Sequence, residues 1–125
     1  MNTSTRLIDL AKIIIEEVQR NLETVQPGQL MYYKQILMYT LYALGYAVDA
    51  LIKKKTGTRP TGHGERINKL TKIGREDLRK MYERLITMIF SKLETVSMLS
   101  IEDLKNIVTK VNEKINEIEQ EIKTS

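Results

Sequence analysis

The arginine and histidine in the stretch RPTGHGERINKL, from Arg59 to Leu70, are the residues best suited to chemistry. His63 is the only histidine of the chain, and Arg59 precedes it by four positions. A metal-independent ribonuclease needs a base for the ribose hydroxyl and a cation for the charge that develops on the phosphate. Histidine titrates near neutral pH, and arginine grips phosphate as a planar fork. Arg59 and His63 are therefore the candidate catalytic residues.

The same stretch also fits two simpler hypotheses. A proline, a threonine and a glycine separate the pair, so Arg59 and His63 are expected to flank a turn rather than share a helix face. If a helix starts after the turn, its free amides attract an anion, and Arg59, His63, Arg66 and Lys69 could bind phosphate or nucleic acid there. In the second, non-functional hypothesis the stretch is a structural turn. His63 then satisfies the free amides at the helix start or faces solvent.

Positive charge is concentrated around this stretch. The segment from Lys53 to Lys80 holds ten Lys or Arg residues and three acids, a net charge of +7. Because the whole chain carries +4, the remainder is about −3. A basic segment of this kind is typical of proteins that bind a phosphate-bearing partner. It is also typical of an ordinary basic surface that faces solvent.

Tyrosines form two stripes on the helix predicted before this loop. They are Tyr32, Tyr39 and Tyr46 on one stripe and Tyr42 and Tyr46 on the other. Tyrosines can stack on bases, but a stripe of this kind more often belongs to the core or to a dimer interface. Asp49 extends the second stripe and is expected to pair with Lys53 or with a cation from the basic loop.

Composition excludes several classes of site. The chain has no cysteine and one histidine, so neither a thiolate nor a histidine-built metal site is expected, and no cofactor is predicted. The N-terminal residues do not have the pattern of a signal peptide, and no uninterrupted apolar run approaches the ~20 residues that span a bilayer. We expect a cytoplasmic protein without a membrane partner, and the composition suits a thermophile.

Helical periodicity dominates the sequence. Its 125 residues are expected to form one domain, 1–125, of the all-α class: an antiparallel up-and-down four-helix bundle with one short extra helix. Gly57 suits the left-handed conformation of a residue that caps the C-terminal end of a helix. Ser100 and Asp103 have the spacing of a capping box. The predicted helices run from about Ser4 to Val25, Gln29 to Lys55, Glu65 to Ile73, Glu76 to Met98, and Ser100 towards the C-terminus.

The segment MYYKQILMYTLYALGYAVDALIKKKTGTRPTGHGERINKL resembles the core of the HEPN superfamily. That family combines a long helix rich in Tyr and Ala, an ALLK-like end (here Ala50-Leu51-Ile52-Lys53), a loop, and a helix start that contains a histidine. The similarity is greatest to the archaeal, paralogous, repeat-encoded branch. In sequence it covers about residues 30 to 70, and in layout about residues 4 to 98.

The resemblance implies a four-helix bundle, commonly a homodimer, that binds or cleaves RNA or binds nucleotide. Many relatives are partners of nucleotidyltransferases in toxin–antitoxin systems. The ribonuclease members carry an arginine and a histidine separated by four to six residues, whereas three separate Arg59 from His63. The predicted fourth helix, where that motif would be expected, has no histidine. The resemblance therefore implies a structural or ligand-facing role for His63 rather than a catalytic one.

The expected function is that of a non-catalytic HEPN-like protein that binds RNA or nucleotide. Phosphate would be attracted by Arg59, Arg66 and Lys69, with His63 as a donor that responds to pH. Two alternatives remain. The first is a metal-independent ribonuclease whose site is completed across a dimer. The second is a protein-interaction module, with a nucleotidyltransferase as a possible partner.

Overall fold

The computed structural model describes residues 3–124, and every regular element in that range is an α-helix. The all-α class predicted from periodicity is therefore confirmed. The helices are α1 (Thr3–Leu22), α2 (Leu30–Thr56), α3 (His63–Lys72), α4 (Glu76–Ile89), α5 (Leu93–Ser97) and α6 (Ile101–Thr124).

Helix α2 is the centre of the core, because each of the other five helices packs against it. Its apolar residues are distributed nearly all round the helix, so burial on one face alone could not accommodate them. By length and composition α2 could also cross a membrane, but 72% of its most apolar window is buried within the protein. Core helices of folded domains pass the same test of length and composition.

Side-chain contacts connect the ends of the long helices. Ser4 Oγ, near the start of α1, donates to the carbonyl of Ala50 near the end of α2, at 3.0 Å. Lys34 Nζ, near the start of α2, donates to the carbonyl of Ser91, which follows the end of α4, at 3.2 Å. The ion pair between Arg75 and Glu121 joins the start of α4 to the end of α6. Each of these contacts thus joins the start of one long helix to the end of another.

The predicted helix from Glu76 to Met98 is wrong in one respect, because the chain breaks between α4 and α5. At the break, Ser91 Oγ donates to the carbonyl of Met88 at 2.6 Å, a local hydrogen bond that competes with helix continuation. The carbonyl of Ser91 is occupied by Lys34. Phe90 lies just past the end of α4 and is 75% exposed.

Two predicted helix ends are confirmed. Gly57 follows α2 with φ +85°, and its amide donates to the carbonyl of Lys53, as a left-handed cap requires. At the start of α6 the amide of Ser100 donates to Asp103 Oδ2 at 2.8 Å, and the amide of Asp103 donates to Ser100 Oγ at 3.0 Å. This reciprocal capping box separates α6 from α5.

Candidate functional site

A buried carboxylate on α2 organises the residues around the basic loop. Asp49 is 1% exposed, so its charge requires partners within the protein. Arg66 supplies a fork: its Nε lies 2.5 Å from Oδ1 and its Nη2 lies 3.1 Å from Oδ2. Arg59 adds a single bond from Nε to Oδ2 at 3.0 Å. The predicted pairing of Asp49 with a loop cation is confirmed, whereas Lys53 donates to the carbonyl of Gly57.

The two arginines occupy different environments. The side chain of Arg66 is 13% exposed, and its fork satisfies both oxygens of Asp49. The side chain of Arg59 is 47% exposed, and its guanidinium lies over the ring of Tyr46, with 5.6 Å from Cζ to the ring centre. Because two guanidinium groups share one carboxylate, the site keeps one positive charge in excess, on the more accessible arginine.

Tyr82, on α4, links Arg66 to His63. Arg66 Nη1 donates to the hydroxyl of Tyr82 at 2.6 Å, and that hydroxyl makes a short contact with His63 Nδ1. A guanidinium can only donate, so the oxygen of Tyr82 accepts from Arg66 and its hydrogen is available to Nδ1. In neutral His63 this arrangement favours the tautomer in which Nε2 carries the hydrogen.

The surroundings stabilise the charged form of Arg66 and the neutral form of Tyr82. Burial of Arg66 disfavours its charge, but the hydrogen bond and the charge of Asp49 outweigh burial and raise its pKa. Burial also raises the pKa of Tyr82, although the positive charge of Arg66 opposes that rise. Both residues are thus held in fixed protonation states throughout the neutral pH range.

These side chains surround a cavity of about 220 Å³. Gly45 contributes to its wall: a methyl group at that position would lie 3.7 Å from a ring carbon of Tyr82. Arg59 and His63, expected to flank a turn, both line this one cavity. The lining consists of Leu41, Tyr42, Gly45, Tyr46, Asp49, Arg59, His63, Arg66 and Tyr82.

The start of α3 differs from the prediction. The helix begins at His63, two residues earlier than Glu65, and its N-cap Gly62 has no side chain to satisfy the first amides. His63 belongs to an exposed surface, yet its ring contacts Tyr82 rather than those amides. His63 therefore does not satisfy the helix start, whereas its exposure and its contact with Tyr82 are compatible with a structural role.

Lys69, predicted as a phosphate contact, does not line the cavity. Its Nζ donates to Thr58 Oγ1 at 2.8 Å and pairs with Glu65 at 3.3 Å. Much of the basic segment is compensated in the same way. Within residues 3–124, ion pairs engage Lys55, Arg59, Arg66, Lys69, Arg75 and Arg79 but not Lys53, Lys54, Lys72 or Lys80.

The tyrosine stripes lie mainly on the surface. Tyr32, Tyr39 and Tyr42 are each about half exposed, whereas Tyr46 is partly buried beside Arg59. Tyr39 and Tyr42 meet edge to face with their ring centres 6.1 Å apart. For the three exposed rings the core is therefore excluded within one copy of the chain, whereas base stacking and a dimer interface stay predictions.

Tyr82 is not among the candidate site residues predicted from the sequence. The available signal was its hydroxyl, since a tyrosine in an inward-facing apolar stripe usually needs a hydrogen-bond partner. Its partners lie 16 and 19 residues earlier, beyond the reach of local pattern. Across residues 3–124 there is no cluster of three or more His, Cys, Asp or Glu side chains that could hold a metal ion.

Comparison with known proteins adds no assignment: no protein-family model, no curated protein and no solved structure matches the chain.

Proposed function

We propose that this chain is a non-catalytic, HEPN-like protein that binds RNA or nucleotide through a phosphate group. The observation that supports the proposal is the pair of arginines on one buried carboxylate. Arg59 and Arg66 share the single negative charge of Asp49, so the more exposed Arg59 retains an excess of positive charge at the cavity. A phosphate oxygen is the natural acceptor for an exposed guanidinium.

The lining of the cavity is consistent with a nucleotide. Tyr42 and Tyr46 offer aromatic faces on which a base could stack, and His63 offers a ring N–H beside Arg59. A volume of about 220 Å³ accommodates a phosphate and part of a sugar rather than a whole nucleotide. In this proposal the base lies against the exposed tyrosines outside the cavity.

The proposal includes an up-and-down four-helix arrangement of α1, α2, α4 and α6, with α3 and α5 as short additions. The contacts that join the start of one long helix to the end of another support it. It also includes a homodimer in the cytoplasm. Tyr32 and Tyr39 supply part of an uncharged, exposed strip on α2 that would suit such an interface, because interfaces are enriched in tyrosine and poor in charge.

A second candidate function is a metal-independent ribonuclease. It is favoured by one observation, that Arg59 and His63 line the same cavity. Their present partners work against it, because Arg59 is bonded to Asp49 and the Nδ1 of His63 to Tyr82. A composite site would need groups from a second copy of the chain.

The test is binding of a short single-stranded RNA and of a nucleotide to wild type and to Arg59→Ala, each at two salt concentrations. We expect binding that weakens as salt rises and that falls about tenfold or more in Arg59→Ala, because a charge-assisted phosphate contact is lost. Arg84→Ala is the matched control, since Arg84 is an exposed arginine on α4 that does not line the cavity.

Three results would contradict the proposal that Arg59 binds phosphate without catalysis. Binding that is indifferent to salt, or equally weakened by Arg84→Ala, would contradict a specific phosphate contact at Arg59. The RNA is recovered afterwards from reactions that contain chelator. Cleavage by wild type, absent in His63→Ala, would replace the binding proposal with the ribonuclease.

A further inference from the structure

We infer that the groove between α4 and α6 docks an amphipathic helix of another protein, one with acidic residues beside its apolar stripe. The groove is separate from the cavity that holds Arg59, because no residue lines both. A partner helix would therefore bind independently of any phosphate at Arg59. Three features of the groove support this docking site: its position in the fold, its apolar interior and its unpaired cations.

The groove lies where two helices do not pack on each other. Helices α4 and α6 both pack against α2 but hardly contact one another. At one end they are joined by the ion pairs Arg75–Glu121 and Lys114–Asp77. Beyond that end a groove of about 410 Å³ lies between them. Helices of a bundle usually bury the sides that face one another, so an unfilled seam of this kind suits an additional helix.

The interior of the groove is apolar over the length that a helix would cover. Leu85 and Val111 are each 1% exposed and form its floor, whereas Met81, Met88 and Ile107 are partly buried. Met81 and Met88 lie seven residues apart, which places them on one side of α4 about two turns apart. An incoming helix presents its own apolar residues at the same spacing. Methionine side chains adapt readily to the shape of such a partner.

Positive charge without a partner lies on both helices that form the groove. Arg84 on α4 and Lys110 on α6 are exposed and line it. Within residues 3–124 neither side chain has an ion pair or a hydrogen bond. The only acid in the lining, Asp103, is engaged at the start of α6, where it accepts from the amide of Ser100. Carboxylates beside the apolar stripe of a partner helix would therefore compensate charges that the chain itself leaves free.

The same lining disfavours two other occupants. A nucleic acid is bound mainly through cations along its backbone, but the groove offers two cations around an apolar interior. A second copy of the chain, docked symmetrically, would bring its own Arg84 and Lys110 to the same place. Positive charge would then accumulate instead of being compensated. An acidic amphipathic helix meets both the shape and the charge of the groove.

Methionine-methyl NMR of the full chain with two designed peptides tests the inference. Both peptides are alanine-rich helices of about 15 residues with one leucine stripe. One carries glutamate on each side of the stripe, and the other carries lysine at the same positions. We expect the acidic peptide to shift the methyl signals of Met81 and Met88 until they saturate. Met31 and Met38, exposed on α2 and outside the groove, are the internal controls and should not shift.

Charge reversal in the groove is the second readout. Lys110→Glu should weaken binding of the acidic peptide about fivefold or more, because an attraction becomes a repulsion, and should strengthen binding of the basic peptide. Lys105→Glu is the matched control, since Lys105 is an exposed lysine of the same helix that does not line the groove. It should change neither affinity. Circular dichroism checks that both variants remain helical.

Four results would overturn the inference. They are the absence of any shift with either peptide, equal binding of the two peptides, an equal effect of Lys110→Glu and Lys105→Glu, and shifts confined to Met31 and Met38. A parallel titration with short single-stranded RNA, and a dilution series without peptide, test the other occupants. Shifts of Met81 and Met88 in the RNA titration alone would assign the groove to nucleic acid, and shifts on dilution alone would assign it to a second copy. None of these results depends on whether Arg59 binds phosphate.

Discussion

Arg66 grips both oxygens of Asp49 from a different helix, 17 residues further along the chain. The contact joins the last third of α2 to the first turn of α3 and fixes how the intervening loop closes. Because Asp49 is buried, the pair determines both the stability of this end of the protein and the charge that Arg59 presents to the cavity.

Removal of Arg66 should destabilise the fold strongly. In Arg66→Ala, Asp49 would keep only the single bond from the exposed Arg59, and loss of hydrogen bonds to a buried charged group costs about 1.5–3 kcal/mol each. Urea denaturation followed by circular dichroism measures the change. Arg20→Ala is the control, because the pair between Arg20 and Glu17 lies on the surface and should contribute little. Equal small losses in both variants would mean that Asp49 is satisfied without Arg66.

Tyr82 should make the folded state sensitive to alkaline pH. Burial raises the pKa of Tyr82 above its ordinary value of 10.0. Its contribution to stability is fully present below the pKa of an unfolded tyrosine and is lost as pH rises through the folded pKa, because the unfolded chain releases its proton first. We therefore expect the free energy of unfolding to fall more steeply above pH 10 in wild type than in Tyr82→Phe. Parallel pH profiles from chemical denaturation would contradict this expectation.

Asp77 should make the folded state sensitive to acid pH. Hydrogen bonds from Arg75 hold the pKa of Asp77 well below its ordinary value of 3.8, and Lys114 adds to the effect at 3.0 Å. Its contribution is present above that ordinary pKa and is lost as pH falls through the folded pKa. Wild type should thus lose more stability than Asp77→Asn as the pH is lowered from about 4. Salt should narrow the difference, since the side chain of Asp77 is 41% exposed. An identical acid response in the two proteins would show that the Arg75 contact is absent in solution.

Gly45→Ala should separate stability from binding. Gly45 lies within α2, where alanine is favoured over glycine by about 0.5–1 kcal/mol. The new methyl would lie 3.7 Å from the ring of Tyr82, an ordinary contact, so thermal unfolding should shift slightly upward. The methyl also takes space from the cavity, so phosphate binding should weaken. A variant that is more stable and binds as well as wild type would place the ligand away from Gly45.

Local pattern was sufficient where neighbours in sequence decide the structure. The capping box at Ser100 and Asp103 and the glycine end of α2 depend on residues three or four apart, and both were predicted. The break after α4 could not be predicted. The apolar period continues through it. The bond from Ser91 to Met88 is local, but Lys34, which occupies the carbonyl of Ser91, lies 57 residues away.

By itself the sequence determined the all-helical class and the presence of a cation partner for Asp49, because helical period and the cost of a buried charge are local properties. Only the tertiary structure decided which cations those would be. In the folded protein Arg66 binds both oxygens of Asp49, and Arg59 stays more exposed. Tyr82 contacts His63, which lies 19 residues earlier in the chain. The composition of the basic loop cannot predict which cation binds Asp49, because the answer depends on how α3 and α4 pack against α2.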